Sequence, residues 1–239
     1  MDKKKYTAII LSAGTGSRMK SNMPKQYMEL LAQPVIYYSV KAFEDSPVDE
    51  IVIVCSADYI EYFRHSIIEK YGFKKVKAIV QGGKERYNSV YEGLKAANGT
   101  DYVLIHDGAR PLVDNEIIVR SMHTVDKEKA CVAGMPVKDT IKVSDELGYS
   151  ANTPDRKSLW QIQTPQCFEY DLLAQSYDKL FSDMSYGKNV PAITDDAMIV
   201  EYGSDTKVKL IEGSYENIKV TTPEDMGIAE LFLKKRRKM

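Results

Sequence analysis

Short apolar runs rich in β-branched residues alternate along the chain with longer segments whose apolar positions recur at helical spacing. Tyr6–Leu11, Ile51–Cys55, Val76–Val80, Tyr102–Ile105 and Ala130–Ala133 read as strands, with Val35–Phe43, Tyr59–Lys70, Arg86–Ala97 and Asn115–Val125 as the helices between them. That order predicts a three-layer α/β fold, doubly wound and Rossmann-like, with a mainly parallel sheet between helices. Ligands of such sheets bind beyond the C-terminal strand ends, so the loops after Leu11, Val80 and Ile105 should converge on one crevice.

After Gly134 the rhythm changes. Met135–Val143 and Gly148–Thr153 are extended, polar and punctuated by turns, which predicts a projecting β-arm at about residues 136–157. So small an arm cannot stabilise itself and should pack on another subunit or elsewhere on the domain. Helical spacing returns at Tyr170–Phe181 and Asp195–Glu201, followed by a strand-like Lys207–Ile211 and a final helix from Pro223. The 239 residues read as one domain without internal repeats or low-complexity segments.

Lysine and arginine number 33 against 34 acidic residues, so bulk charge points to neither nucleic acid nor a membrane surface. The charged start Met1–Lys5 precedes an apolar run that is short and breaks at Gly14, and no long apolar span follows; a cytoplasmic location is expected. Cys55, Cys131 and Cys167 have neither disulfide-framework nor zinc spacing. The basic run Lys234-Lys235-Arg236-Arg237-Lys238 reads as a solvated helix end with no binding role.

The candidate chemistry begins where the first strand ends. Ser12-Ala13-Gly14-Thr15-Gly16-Ser17-Arg18-Met19 has the small residues that let backbone N–H groups approach an anion, and Arg18 and Lys25 add two cations. Met19 occupies the third glycine position of a dinucleotide fingerprint, and no Gly-Lys-Ser/Thr closes a P-loop. The glycines alone equally suit a plain strand-to-helix turn, so the downstream motifs decide. Gly82 and Gly83 precede a helix start, with Ser89 one turn inside it; a nucleobase or an ordinary glycine turn fits them. Asp107, in His106-Asp107-Gly108-Ala109-Arg110-Pro111, can contact a ribose hydroxyl or magnesium, while Arg110 can hold an acidic substrate or brace the turn through Asp107. His106 reads as structural. Lys219, between Ile218 and Val220 in a strand-like run, points opposite to its neighbours and needs a partner near the core. Arg156 stands beside the proposed arm, and Thr194 fits a helix N-cap that could also meet phosphate.

These motifs, with Pro24-Lys25-Gln26-Tyr27, Pro136-Val137-Lys138-Asp139-Thr140, Asp155-Arg156, Leu159-Trp160, Gln163-Thr164-Pro165-Gln166, Ile193-Thr194-Asp195 and Asn217-Ile218-Lys219-Val220-Thr221, resemble the 2-C-methyl-D-erythritol 4-phosphate cytidylyltransferases. The resemblance runs nearly end to end; Ser12 and Gly108 stand where many members have alanine. It implies a nucleotidyltransferase joining CTP to methylerythritol phosphate with release of pyrophosphate, and a magnesium ion bridging the triphosphate. It implies that Arg18, Lys25, Arg156 and Lys219 are catalytic. Ser12, Ala13, Gly14, Thr15, Gly16, Gly82, Gly83, Ser89 and Asp107 would hold the nucleotide, Asp107 also meeting the metal. Asp107, Arg110, Thr140, Arg156, Thr164, Thr194 and Lys219 would orient the second substrate. A homodimer is implied, the arm carrying Thr140 and Arg156 completing a neighbour's site. Two rivals stand beside this reading: a pentitol phosphate cytidylyltransferase, for example for ribitol 5-phosphate, and a nucleotide-binding regulator without turnover. The retained cations speak against the second.

Overall fold

Strands covered on both faces have no solvent side to mark with polar residues, and the near-continuous apolar runs form such strands here. The computed structural model describes residues 3–14 and 23–236. Strand β1 (Tyr6–Ser12) is followed by a 3-10 turn at Lys25–Tyr27, a small hairpin of β2 (Glu29–Leu30) and β3 (Gln33–Pro34), and helix α1 (Val35–Glu44). Next come β4 (Glu50–Cys55), a helical stretch containing α2 (Ile60–Tyr62), β5 (Val76–Gln81), α3 (Arg86–Ala96), β6 (Tyr102–Asp107) and α4 (Asn115–Glu128). The chain continues through β7 (Ala130–Pro136), β8 (Val143–Ser144), β9 (Ser150–Asn152), β10 (Trp160–Glu169), α5 (Tyr170–Ser185), α6 (Asp196–Gly203), β11 (Lys209–Glu212) and α7 (Pro223–Arg236).

Seven strands form one sheet in the order β11-β7-β10-β6-β1-β4-β5. All its pairings are parallel except those of β10, which runs antiparallel to both β6 and β7. Successive side chains of a strand point to opposite faces, so Ile10 joins a core with Ile53, Phe43 and Phe63, while Ile9 joins Val54, Leu94 and Phe168 on the other side. A third cluster of Leu30, Val35, Leu112, Val220, Ala229 and Leu233 seats α7 against the loop after β6. The helix expected over Tyr59–Lys70 forms, but winds as a π-helix from Phe63 to Glu69.

Strand β10 lies outside the expected set, because Gln161, Gln163, Thr164, Pro165 and Gln166 break its apolar pattern. It is a strand because tertiary partners satisfy those groups: the Gln166 side chain accepts from Asp196 N at 2.9 Å and donates to Asp195 at 3.1 Å. The peptide between Thr164 and Pro165 is cis. Residues 217–221 are not a strand; they are extended loop, tied to the fold where Val220 N donates to Ala109 O at 2.8 Å. Thr194 does not cap α6. Asp195 does, its carboxylate accepting from Met198 N at 3.0 Å.

Extended structure in the proposed arm is narrower than 136–157: β7 runs on to Pro136, and only β8 and β9 pair, as an antiparallel hairpin. That hairpin is exposed, and Leu147 (83 %) and Tyr149 (70 %) at its turn lie open.

Candidate active site

The loops after β1, β5 and β6 do converge, around a cavity of about 290 Å³ that begins at Leu11 and is walled by Ser12, Ala13 and Gly14, by Gly83, Arg86 and Ser89, and by Asp107 and Ala109. Lys25 and Lys219 close it from two other segments. In a parallel sheet these strand ends face one way, so the topology alone gathers residues that are far apart in sequence.

Lys25 owes its place to aromatic packing. Tyr27, in the same 3-10 turn, stacks on Tyr59 with ring centroids 4.1 Å apart and meets Phe63 edge-on. Its hydroxyl donates to Ser12 O at 3.1 Å, and burial pushes its ionisation well above the usual tyrosine range. Gln26 Nε2 donates to Ser12 O at 2.8 Å and Gly14 O at 2.9 Å, so the turn bearing Lys25 is bonded directly to the start of the glycine loop. Lys25 is thereby held at the wall with 9 % of its surface exposed.

Gly82 backs the opposite wall. A Cβ there would lie 2.6 Å from Ala13 Cβ and 2.7 Å from Ser89 Oγ, so only glycine permits the two loops to touch. A Cβ on Gly83 would lie 2.4 Å from Asn88 Cβ. The Ser89 hydroxyl accepts from Gly83 N at 3.1 Å and shapes this loop.

Asp107, at the end of β6, is the electrostatic centre. Lys219 Nζ lies 2.9 Å from its Oδ2, Arg110 Nε 3.5 Å from Oδ2, and Arg86 Nε 3.6 Å from Oδ1. Burial alone would raise its pKa; Lys219, Arg86 and Arg110 outweigh that and hold the carboxyl far below the ordinary carboxylate range. Arg86 also binds the fully buried Asp196 at 2.8 Å, and Asp196 in turn accepts from the Tyr177 hydroxyl at 2.8 Å. Burial opposes the Arg86 charge, but Asp196 and Asp107 secure it.

His106 is structural, as its lack of ligand spacing suggested. Burial lowers its pKa to about 4, leaving a neutral ring at neutral pH. Its Nε2 lies 3.2 Å from Arg110 O, which can only accept, so Nε2 carries the proton and Nδ1 accepts from the Thr164 hydroxyl at 3.0 Å. Thr164 Oγ1 in turn accepts from Asp107 N at 3.1 Å. This relay fixes both ends of the Asp107–Arg110 turn, and Arg110 Nη1 extends it to Asn217 O at 2.9 Å.

The family model of IspD, 2-C-methyl-D-erythritol 4-phosphate cytidylyltransferase, matches residues 6–235. The chain belongs to this family. It is 52 % identical over 229 residues to the cytidylyltransferase of Lachnospira eligens, covering 95 % of this chain and 99 % of that one. It is 48 % identical to that of Lachnoclostridium phytofermentans, with 98 % of each chain covered. Among solved structures, the 4-diphosphocytidyl-2C-methyl-D-erythritol synthase of Anaerococcus prevotii superposes with a TM-score of 0.83 at 34 % identity, covering 97 % of this chain and 96 % of that one. The Francisella tularensis cytidylyltransferase gives 0.77 at 27 % identity, over 95 % and 99 % of the two chains.

Of the residues expected to serve a cytidylyltransferase, the cavity gathers Ser12, Ala13, Gly14, Lys25, Gly83, Ser89, Asp107 and Lys219. Gly82 supports its wall and Arg110 its central carboxylate. Thr15, Gly16 and Arg18 lie outside the described residues. Thr164 is buried and spent in the His106 relay. Thr194 is exposed, its hydroxyl on Met198 Sδ at 3.1 Å. Thr140 and Arg156 are also exposed and away from the cavity, with Arg156 Nη1 donating to Lys138 O at 3.0 Å.

Arg86 is the residue to which the sequence reading assigned no role. It opens α3, where the helix dipole favours an anion, so a cation there needs another reason; that misplacement was the available signal. Its reason is Asp196, 110 positions later.

Among the described residues no group of three acidic, histidine or cysteine side chains could hold a metal by itself. The cavity offers Asp107 and Glu85. Magnesium commonly takes one or two carboxylates with substrate phosphates and water, so this donor set suits an ion brought by a triphosphate.

Proposed function

We propose that this chain catalyses in-line transfer of the cytidylyl group of CTP to the phosphate of 2-C-methyl-D-erythritol 4-phosphate. A phosphate oxygen of the second substrate attacks the α-phosphorus, the new P–O–P bond forms, the α–β bridge breaks, and pyrophosphate leaves with the electron pair. The observation that carries this reading is the joining of a glycine-tight wall to lysines and an arginine in one cavity. No histidine or cysteine lines it among the described residues. Direct displacement needs no enzyme nucleophile, and catalysis reduces to positioning and charge stabilisation.

Ala13, Gly83 and Ser89 receive the base, and Asp107 the ribose or the metal. Lys25, with Arg18, stabilises the charge that builds at the α-phosphorus. Lys219 and Arg110 orient the second phosphate, and Thr164 acts behind them through the relay that holds the Asp107–Arg110 turn. Asp107 and the nucleotide phosphates would hold magnesium, whose charge offsets that of the triphosphate. Work in the cytoplasm fits a chain in which no described helix is long and apolar enough to cross a membrane.

In this reading the hairpin joins two copies, each presenting Thr140 and Arg156 to its neighbour's cavity; the open Leu147 and Tyr149 support it. Pyrophosphate release from CTP, measured with methylerythritol phosphate and with ribitol 5-phosphate, tests the activity. The former is expected to be preferred, and preference for ribitol 5-phosphate or no release with either would overturn the assignment. Sedimentation of the same preparation is expected to show a dimer; a fully active monomer refutes the shared site.

A further inference from the structure

The basic run that closes the chain read as a solvated helix end, yet its described part is wired into the fold beneath the cavity. Arg236, in the last turn of α7, donates through Nη1 to Leu112 O at 3.0 Å. Its Nε binds Glu216 Oε2 at 3.3 Å, and its Nη2 lies 3.7 Å from Asp114 Oδ2. Lys235 Nζ adds a second contact to Glu216, at 3.2 Å. One guanidinium therefore holds the segment after Arg110 and the segment before Lys219.

Those two segments carry Lys219, which lines the cavity, and Arg110, which holds its central carboxylate. From Arg110, two residues lead to Leu112, which is fully buried against Val220, Ala229 and Leu233. From Glu216, three residues lead to Lys219. Strand-like bonds hold the far end of that loop, where Gly213 N donates to Gly134 O at 2.8 Å; past Glu216 it is tied at Asn217, which accepts from Arg110 Nη1 at 2.9 Å and donates to Thr164 O at 2.9 Å, and at Val220, whose N donates to Ala109 O. Lys219 is a long side chain whose ammonium must stay within reach of Asp107, and loosening either segment changes that distance. Arginine suits the task because its planar fork can meet three acceptors together.

We propose that Arg236 is a positioning residue for the transfer reaction: through Glu216 and Leu112 it sets the separation of Lys219 and Arg110, and hence the fit of the second substrate's phosphate. It touches no wall of the cavity itself. The inference rests on the proposed activity, whose test is made on the unaltered protein; the latch is tested by ratios among variants of that protein.

Steady-state kinetics of Arg236→Ala, well below its unfolding temperature, should show KM for the sugar phosphate raised about five- to tenfold with KM for CTP unchanged, the scale of a few partly exposed charged contacts. Glu216→Ala disturbs no core residue of α7 and keeps the test open if the first variant folds poorly; it should reproduce the rise. The double variant should raise KM by less than the product of the single effects, since both break the Arg236–Glu216 contact while Leu112 depends on Arg236 alone. Arg236→Lys should recover only part of the loss. A purely structural latch would lower the melting temperature and move neither KM, and that result, additive single effects, equal rises in both KM values, or full rescue by lysine would overturn the proposal.

Discussion

Lys25→Ala should lower turnover on the order of a hundredfold or more, while CTP binding changes only severalfold. On the proposed reading the ground-state triphosphate meets a cavity lined by Lys84, Arg86 and Lys219 besides Lys25, so loss of one lysine is shared among the rest. In the displacement the α-phosphorus becomes crowded and more negative, and a fixed cation at that point stabilises the transition state more than the substrate. Lys25 is fixed: its turn is pinned by the Tyr27–Tyr59 stack and by two hydrogen bonds from Gln26. Being largely buried, its charge acts through a medium less screening than water. Rapid-quench measurement of pyrophosphate formation, with calorimetric titration of CTP, separates the effects. Near-normal turnover would remove Lys25 from the chemistry, and a parallel collapse of CTP binding would make it a ground-state ligand.

Asp107→Asn should cost both activity and stability. The carboxylate faces Lys219, Arg86 and Arg110, and its side chain is only 11 % exposed. The asparagine fills the same volume but leaves those cations facing one another, and removing one partner of a buried charge cluster typically costs about 3–5 kcal/mol. Arg86 retains Asp196, and Lys219 is the most exposed of the three, so the lower end of that range is expected. The sign of the pH dependence follows from the lowered folded-state pKa. The stability contributed by Asp107 is complete above the unfolded pKa near 3.8 and is lost as pH falls toward the folded value. The gap between wild type and variant, measured by chemical denaturation, should therefore be constant near neutrality and narrow below about pH 4. A polyanion should also protect the variant more than the wild type, because it supplies the missing counter-charge. Equal stability at pH 7 would show that the three cations need no central anion.

What the chain determines locally was legible in its residues. The strands β1, β4, β5 and β6 follow from short apolar runs, and their parallel order places three loops on one edge, so the pattern of the chain alone puts Ala13, Gly83 and Asp107 at one crevice. Glycine at 82 signals close approach for a steric reason that needs no partner to be named. Strand β10 was not legible, since Gln163, Thr164 and Gln166 become strand-compatible only when Ser214, His106 and the start of α6 satisfy them. The same holds for the site's charges. That Arg86 and Lys219 are cations is written in the sequence; that Asp107 stands between them, with Asp196 behind one and Arg236 steadying the loop of the other, depends on which distant segments the sheet order brings together. Local periodicity and sterics act over a few residues, so they set most elements, the loop chemistry and the short-range Asp107–Arg110 pair, while the pairing of charges distant in sequence and the strand that leans on distant partners depend on separation in space, which only the tertiary structure decides.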